Sequence, residues 1–183
     1  MAANNTADVT NIKGVQGGYG YSAAITVTPP TDFTTLGTGF DNMGFISEDG
    51  IEENMEADTE EITDMNGDVV FVAKSKETET IVITLISLTT ASLSEMFGHG
   101  NVDASGTNIE IEHKSTNHDS RVYVFDLVLK DSRKWRKVIP NGQVTEVGAI
   151  TYASGSVFSR QITINCAPDS SGVRMYDYIQ KAA

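Results

Sequence analysis

Residues 121–130, RVYVFDLVLK, decide the fold class of this chain. Large aromatic and leucine side chains occupy every second position from Tyr123 to Leu129, and valine fills most of the positions between them. A period of two is typical of a β-strand, because successive side chains of a strand point to opposite faces. The stretch therefore predicts a strand that is packed on both of its faces.

The same period recurs elsewhere with one polar face. Residues 142–152, GQVTEVGAITY, and 156–166, SVFSRQITINC, alternate apolar side chains with neutral polar ones. Further strand candidates are residues 18–28, 68–75, 78–88 and 107–113, and Asn66-Gly67 and Asn141-Gly142 are turn signals between strands. The fold class predicted is mainly antiparallel β, arranged as a β-sandwich or barrel.

Helical periodicity is confined to two short regions. Residues 90–98 predict a helix with Thr90 or Ser92 as the N-cap and Gly98 as the stop. Residues 169–183 predict a C-terminal arm or a short helix. With a flexible N-terminal arm over residues 1–17, we expect one domain over residues 18–168 that contains a long acidic loop at 48–67.

Charge and cysteine usage exclude several classes of protein. The chain has 183 residues with 13 Lys and Arg against 25 Asp and Glu, which gives a net charge of −12 and a pI of about 4.5. A strongly acidic protein does not bind phosphate backbones generically. A single cysteine, Cys166, forms no internal disulfide, so this is no disulfide scaffold. No apolar stretch is long enough to cross a membrane.

The charges are segregated along the chain. Residues 48–64 hold nine carboxylates and no Lys or Arg, whereas residues 130–137, KDSRKWRK, are basic around Trp135. If the two segments lie at opposite ends of one domain, they meet only between copies of the chain. Such a head-to-tail contact builds rings or filaments.

Motifs for chemistry are missing from the sequence. Three histidines, His99, His113 and His118, follow no zinc-motif spacing, and the calcium-like start at Asp64 lacks the required later ligands. No nucleophile-elbow motif ties a serine to a His and an Asp. We therefore expect neither an enzyme nor a cofactor or metal site. A β-sandwich module that binds carbohydrate or a receptor remains the alternative from another class.

Two long stretches resemble a known family. Residues 44–98, from GFISEDGIEENMEADTEE through TTASLSEMFG, and residues 136–179, from RKVIPNGQVTEVG through APDSSGVRMYDYI, are similar to the major tail tube proteins of long, non-contractile-tailed bacteriophages. The similarity consists of an SEDG turn before an acidic segment, a GDVV strand start, an IPNGQVTEVG strand entry and an APDSSG turn before an aromatic terminal arm. It covers roughly residues 40 to 180.

This resemblance implies a structural virion protein. Family members assemble as hexameric rings that stack into a hollow tube, made in the host cytoplasm, through which double-stranded DNA passes without specific binding. The implied partners are other copies of the chain and the tape measure, tail tip and tail terminator proteins, with no membrane. Strands facing the channel would join into a barrel of about 24 strands with a diameter of about 48 Å.

Two sets of residues are candidates for these roles. For ring stacking or subunit contact we expect the two charged segments, namely Glu48, Asp49, Glu52, Glu53, Glu56, Asp58, Glu60, Glu61, Arg133, Lys134, Arg136 and Lys137. For the channel wall we expect the polar faces of the two alternating strands, namely Gln143, Thr145, Ser159, Gln161, Thr163 and Asn165.

Overall fold

Antiparallel strands form most of the molecule, as the sequence predicts. A computed structural model describes residues 9–115 and 117–181, except for the side chain of Ser75. The strands in this part are β1 (Ile12–Gly14), β2 (Gly20–Ala24), β3 (Asp41–Asn42), β4 (Ile46–Thr63), β5 (Val69–Leu85), β6 (Val102–Asp103), β7 (Glu110–Ile111), β8 (Ser120–Leu129), β9 (Lys134–Val147), β10 (Arg160–Cys166) and β11 (Tyr176–Ile179). One α-helix, α1 (Thr90–Phe97), interrupts them.

One nine-stranded sheet carries the fold. Its strands follow the order β3-β2-β8-β9-β10-β5-β4, while β1 pairs with β8 and β11 pairs with β9. The strand that decides the fold class, β8, is central: it pairs with β2 and β1 on one side and with β9 on the other. A second sheet, of β6 and β7, has two strands.

Both faces of β8 are buried, as its double apolar pattern predicts. Tyr123 and Phe125 are fully buried on the face that α1 covers, among isoleucines of β5 and β10. Val122 and Val124 are fully buried on the opposite face, where Leu36 and Phe40 of the loop between β2 and β3 pack. The central strand thus holds two hydrophobic clusters together.

The N-cap of the helix lies one residue before the first predicted cap. Thr89 is the N-cap: its side chain accepts a hydrogen bond from the backbone N–H of Ser92, and the Ser92 hydroxyl reaches back to the N–H of Thr89. Such a reciprocal box satisfies two backbone donors that a helix leaves unpaired. The predicted caps Thr90 and Ser92 both lie inside the helix. Gly98, with φ 96°, ends it as expected.

Most of the expected loop at 48–67 is a strand, since only residues 64–67 of it lie in a turn. Residues 46–63 are β4, which pairs with β5 along the whole length of a long hairpin, and the Asn66-Gly67 signal lies in the turn between them. The acidic residues alternate with few apolar ones, so the sequence shows no strand period. Pairing with the β-branched residues of β5 decides the conformation.

The second turn signal is wrong. Asn141 and Gly142 lie inside β9. A β-carbon on Gly142 would approach Tyr123 Cδ2 to 2.6 Å and Ile164 Cγ2 to 2.9 Å. This glycine is therefore a packing residue, because the buried aromatic ring occupies the space that a side chain would need.

Both termini contain strands instead of free arms. Residues 12–14 pair with β8, so this part of the predicted flexible arm is ordered, and residues 1–8 lie outside the described residues. Residues 176–179 pair with β9 as β11, which excludes the short helix over these residues. Residues 182 and 183 are outside the described part.

Candidate assembly surfaces

The long hairpin extends beyond the rest of the sheet. β10 pairs with β5 from Leu85 to Thr80. In the part of β5 nearer the turn, residues 69–79, β5 pairs only with β4 among the described residues. We call residues 56–78 the distal arm. A two-stranded ribbon is only marginally stable in water by itself. The distal arm is therefore a segment that another surface would stabilise.

The two strands of the distal arm differ in chemistry. The β4 strand carries exposed carboxylates, including Glu60 and Glu61. The facing β5 strand carries the uncharged run Val69–Ala73, in which Phe71 is 58% exposed and Val70 is 62% exposed. Ile62, which pairs with Phe71, and Met65 at the turn add further exposed apolar surface. The acidic and the apolar strands thus lie side by side.

An aspartate fixes the turn at the end of the arm. Asp64 Oδ1 accepts hydrogen bonds from the N–H groups of Asn66 (2.8 Å) and Asp68 (2.9 Å), and these bonds lower the pKa of Asp64. Gly67 takes a φ of 87°, which favours glycine. The residues that resemble the start of a calcium loop form a hydrogen-bonded turn here.

The basic run lies largely within ion pairs of its own chain. Arg136 makes a bidentate hydrogen-bonded ion pair with Asp126, in which Nε lies 2.6 Å from Oδ1 and Nη2 lies 2.8 Å from Oδ2. It also donates to the carbonyls of Asp32 and Thr34. Arg133 pairs with the neighbouring Asp131 at 2.5 Å. Arg136 is almost fully buried, so it is a structural residue of the single chain.

Lys137 connects three elements. Its Nζ lies 2.8 Å from Asp177 of β11 and 2.7 Å from Glu53 of β4, and 5.3 Å above the ring of Trp135. Burial by itself would lower the pKa of Lys137, but the hydrogen bonds to Asp177 and Glu53 outweigh it, so the pKa is raised. Trp135 Nε1 donates to the same Asp177.

The condition for a contact made only between copies, that the two charged segments lie at opposite ends of the domain, is not met. The acidic and the basic segment meet within one chain at Glu53 and Lys137, instead of lying at opposite ends. Of the basic residues predicted for the interface, Lys134 is exposed and Arg133 is half-buried, while Arg136 and Lys137 are buried. The predicted carboxylates of β4 are all exposed.

A polar ladder crosses one face of β9, β10, β5 and β4. Gln143 lies opposite Asn165, which lies opposite Thr80 and then Asn54. The next rung runs through Glu146, Thr163, Val82 and Glu52, and Gln161 lies opposite Thr84. The structure thus brings Gln143, Gln161, Thr163 and Asn165 together on one face. These rungs contain carboxylates and amides but no Lys or Arg.

The other two predicted channel residues lie at irregular positions. Thr145 is the extra residue of a β-bulge, with its hydroxyl 3.4 Å from the Thr163 carbonyl. Ser159 lies in the loop directly before β10. Arg160, which interrupts the apolar face of the sequence pattern, stacks on Phe97 at 4.7 Å and donates to the Met96 carbonyl at the end of α1.

A buried carboxylate, which no pattern in the sequence predicts, joins the helix to the sheet. Glu95 is 1% exposed, accepts from the Tyr123 hydroxyl at 2.8 Å and contacts His99 at 2.9 Å, and its Oε1 lies 3.3 Å from Arg121 Nε. Burial would raise the pKa of Glu95, yet hydrogen bonds from His99 and Ser22 and the charge of Arg121 lower it.

Metal-ligating side chains do not cluster in the described part of the chain. Over these residues, no three His, Cys, Asp or Glu side chains are grouped so that they could hold a metal ion. Cys166 is buried, which raises the pKa of its thiol to about 12. In the same residues, no helix is long and apolar enough to span a bilayer. The prominent surfaces are the distal arm and the polar ladder.

Comparisons with known proteins give a family. No curated protein sequence matches the chain. One similar solved structure is the tube-terminating cap of the anti-feeding prophage, with 14% identity and a TM-score of 0.44 over 96% of this chain and 98% of that chain. The family model described as phage tail tube protein matches residues 1–183, the full length. The chain therefore belongs to the phage tail tube protein family and is a structural component of a phage tail.

Proposed function

We propose that this chain assembles as hexameric rings that stack into the hollow tail tube of a long, non-contractile-tailed bacteriophage. Double-stranded DNA passes through this tube from the capsid to the host cell, and the chain performs no catalysis. The polar ladder across four consecutive strands, β9, β10, β5 and β4, carries the proposal.

The ladder has the chemistry that a DNA conduit needs. A wall that passes DNA must not hold the phosphates, so it should present neutral or acidic groups. The rungs from Gln143 to Asn54 and from Glu146 to Glu52 meet this requirement. With Gln161 they form the proposed channel face, to which Thr145 and Ser159 add polar groups at its margin.

The number of strands in the ladder also supports the proposal, since a barrel would take these four strands from each subunit. Four strands from each of six subunits would close a barrel of about 24 strands, with a backbone diameter of about 48 Å for strands 4.8 Å apart and tilted by about 40°. Such a barrel is wider than duplex DNA. The opposite face, covered by α1, would then point away from the channel.

The charged segments take the role of subunit contacts in this proposal. The exposed carboxylates of β4 and the exposed Lys134, with Arg133, are placed between neighbouring subunits. Glu53, Arg136 and Lys137 hold β4 and β11 in place within each subunit. The tape measure, tail tip and tail terminator proteins would be the further partners, and assembly would take place in the host cytoplasm.

Electron microscopy of the concentrated, purified protein tests the assembly. We expect hollow tubes with six-fold end views. Discrete closed dimers would contradict the tube and favour a β-sandwich module that binds carbohydrate or a receptor.

Cysteine labelling tests the direction of the ladder. The variants Gln161→Cys, on the ladder, and Thr107→Cys, in the loop beyond β6 on the helix side, place one exposed thiol each, since Cys166 is buried. A bulky maleimide should label both monomers equally. In assembled tubes it should label Thr107→Cys but not Gln161→Cys, and the reverse pattern would show that the ladder faces outward.

A further inference from the structure

A cleft of about 590 Å³ lies beside the C-terminal end of α1. Its walls are the end of α1, the start of β10, the end of β9 and the segment between β7 and β8. β8 pairs with β9 only as far as Gln143, so among the described strands only β10 flanks the last residues of β9. The cleft is therefore open at this edge of the sheet. We call it the helix-end cleft.

Arg160 lines the helix-end cleft in a fixed orientation. Its Nε donates to the carbonyl of Gly148 and its Nη1 to the carbonyl of Met96, both at 3.0 Å, and its guanidinium lies 4.7 Å from the centre of the Phe97 ring. Within the described part of the chain, Arg160 makes no ion pair with a carboxylate and its Nη2 has no acceptor. Burial lowers the pKa of Arg160, the direction expected for a cation without a counter-charge.

Two imidazole rings line the same cleft. His113 packs edge-to-face on Phe97, with the ring centroids 5.3 Å apart, and Gln143 Nε2 donates to the carbonyl of His118 at 2.5 Å. Burial is the main cause that lowers the pKa of His118, and the nearby charge of Arg160 acts in the same direction. A neutral imidazole still offers one N–H donor. The cleft therefore combines one cation with neutral donors.

The lining is positively charged although the protein is acidic. It holds two cations, Arg160 and Lys114, and a single carboxylate, Glu112, which pairs with Lys114. This pair cancels, so the charge of Arg160 remains unbalanced in a chain of net charge −12. A guanidinium with a free N–H donor in a cavity lined by further polar groups is suited to bind carboxylate or phosphate oxygens.

We propose that the helix-end cleft binds an oxyanion, with Arg160 as the charged donor and His113, His118 and Asn117 as neutral donors around it. Its ligands are small molecules or groups that carry a carboxylate or a phosphate. The carbonyls and the ring that hold the guanidinium reduce the side-chain entropy lost on binding. This site goes beyond the proposed tube and does not depend on it, because every lining residue belongs to one chain.

A titration of the dilute protein with sulfate tests the site. Sulfate is a suitable probe because it keeps its two charges near pH 7, and chloride holds the ionic strength constant. The imidazole proton resonances of His113 and His118 should shift and saturate. His99 lies outside the lining and contacts Glu95 at 2.9 Å, so its resonance should stay in place. Equal shifts of all three histidines, or shifts that do not saturate, would overturn the inference.

A pair of arginine variants tests the charged donor. Arg160→Gln should weaken sulfate binding by at least about tenfold, because a hydrogen bond from a charged group is lost. Arg174→Gln is the matched control, since Arg174 is also half-buried and also donates to a carbonyl, that of Glu77, but lies outside the lining. Its sulfate affinity should equal that of the wild type. Wild-type affinity in Arg160→Gln would overturn the inference.

A pair of asparagine variants leaves the contact of Arg160 with the helix intact. Asn117→Asp adds a carboxylate at an exposed position of the lining and should weaken sulfate binding by at least about threefold through repulsion. Asn108→Asp makes the same change at an exposed position outside the lining and should leave the affinity unchanged. Equal affinities of these two variants would contradict the site even if Arg160→Gln fails to fold.

Assembled tubes distinguish the sources of the oxyanion. If free anions fill the cleft, tubes bind sulfate as the monomer does. If a carboxylate of another protein chain fills it in the tube, the monomer binds sulfate and the tubes do not. Failure of the protein to form tubes would refute the proposed function and leave the sulfate site of the monomer standing. Tubes from a protein whose monomer binds no sulfate would refute the site and leave the tube standing.

Discussion

Lys137 Nζ lies 2.7 Å from Glu53 Oε2 of the same chain, and this contact joins the basic run to the root of the long hairpin. Asp177 on β11 completes the arrangement at 2.8 Å. One buried cation therefore fixes the hairpin and the C-terminal strand relative to β9. Of the charged residues that the sequence assigns to subunit contacts, Glu53, Arg136 and Lys137 therefore have partners within the subunit itself.

Removing this cation should destabilise the monomer. We expect Lys137→Met to lower the free energy of unfolding by about 2 kcal/mol, a value reduced because Glu53 and Asp177 are partly exposed to water. Urea unfolding at pH 7 measures it. Lys130→Met removes an exposed lysine from the same run and should change stability by less than about 0.5 kcal/mol. Equal changes in the free energy of unfolding for the two variants would show that the contact of Lys137 does not stabilise the fold.

The raised pKa of Lys137 predicts an alkaline dependence. A base whose pKa is raised on folding stabilises the fold fully below its ordinary value of 10.5, and this contribution is lost as the pH rises through the folded value. Stability should therefore fall above pH 10.5 more steeply in the wild type than in Lys137→Met. Parallel curves for the two proteins would contradict the assignment.

Loss of the buried carboxylate should be more severe. Glu95→Gln leaves Arg121 without its anion in the core and should cost about 3 kcal/mol at pH 7. Because folding lowers the pKa of Glu95, its contribution is present above 4.5 and lost as the pH falls through the folded value. Urea unfolding between pH 3 and 7, values chosen to bracket this range, should show a smaller acid slope for the variant. Glu110→Gln, at an exposed position of β7, is the control.

The N-cap can be assigned by a pair of threonine variants. Thr89→Ala removes the side-chain acceptor for the N–H of Ser92 and should destabilise the protein by about 1 kcal/mol. Thr90→Ala, one residue inside the helix, should be neutral or slightly stabilising, because alanine has the higher helix propensity. Thermal unfolding compares the stabilities of the two variants. A larger loss of stability in Thr90→Ala would show that Thr90, and not Thr89, is the N-cap.

Gly142 should not tolerate a side chain. Gly142→Ala forces a β-carbon against the Tyr123 ring and Ile164, and overpacking of this kind costs about 1–3 kcal/mol. Gly100→Ala is the matched control, since nothing lies within 4 Å of its β-carbon position. Differential scanning calorimetry should give a lowered Tm only for the first variant. An unchanged Tm would mean that Tyr123 is free to move aside.

The sequence by itself determined the β character of this protein, its central strand and its one helix. The period of two in residues 121–130 can be recognised without knowing the neighbouring strands, because alternation of side chains is a property of a single strand. The apolar positions of β10 likewise predict its buried face, and the neutral positions between them predict the polar face that β10 contributes to the ladder. The family resemblance agreed with the full-length match to phage tail tube proteins.

Only the tertiary structure decided which charged side chains are buried and which conformation the segments without a clear period adopt. Residues 48–63 carry no strand period, and they form part of β4 only because β5 offers a β-branched partner with unpaired backbone groups. Asn141-Gly142 has the local chemistry of a turn, but the ring of Tyr123, distant in sequence, needs the space above the glycine. Lys137 and Glu95 are charged residues that a local pattern would place on the surface. They are buried because residues of other elements supply the opposite charges. Such pairings depend on distance in space, which local patterns do not encode.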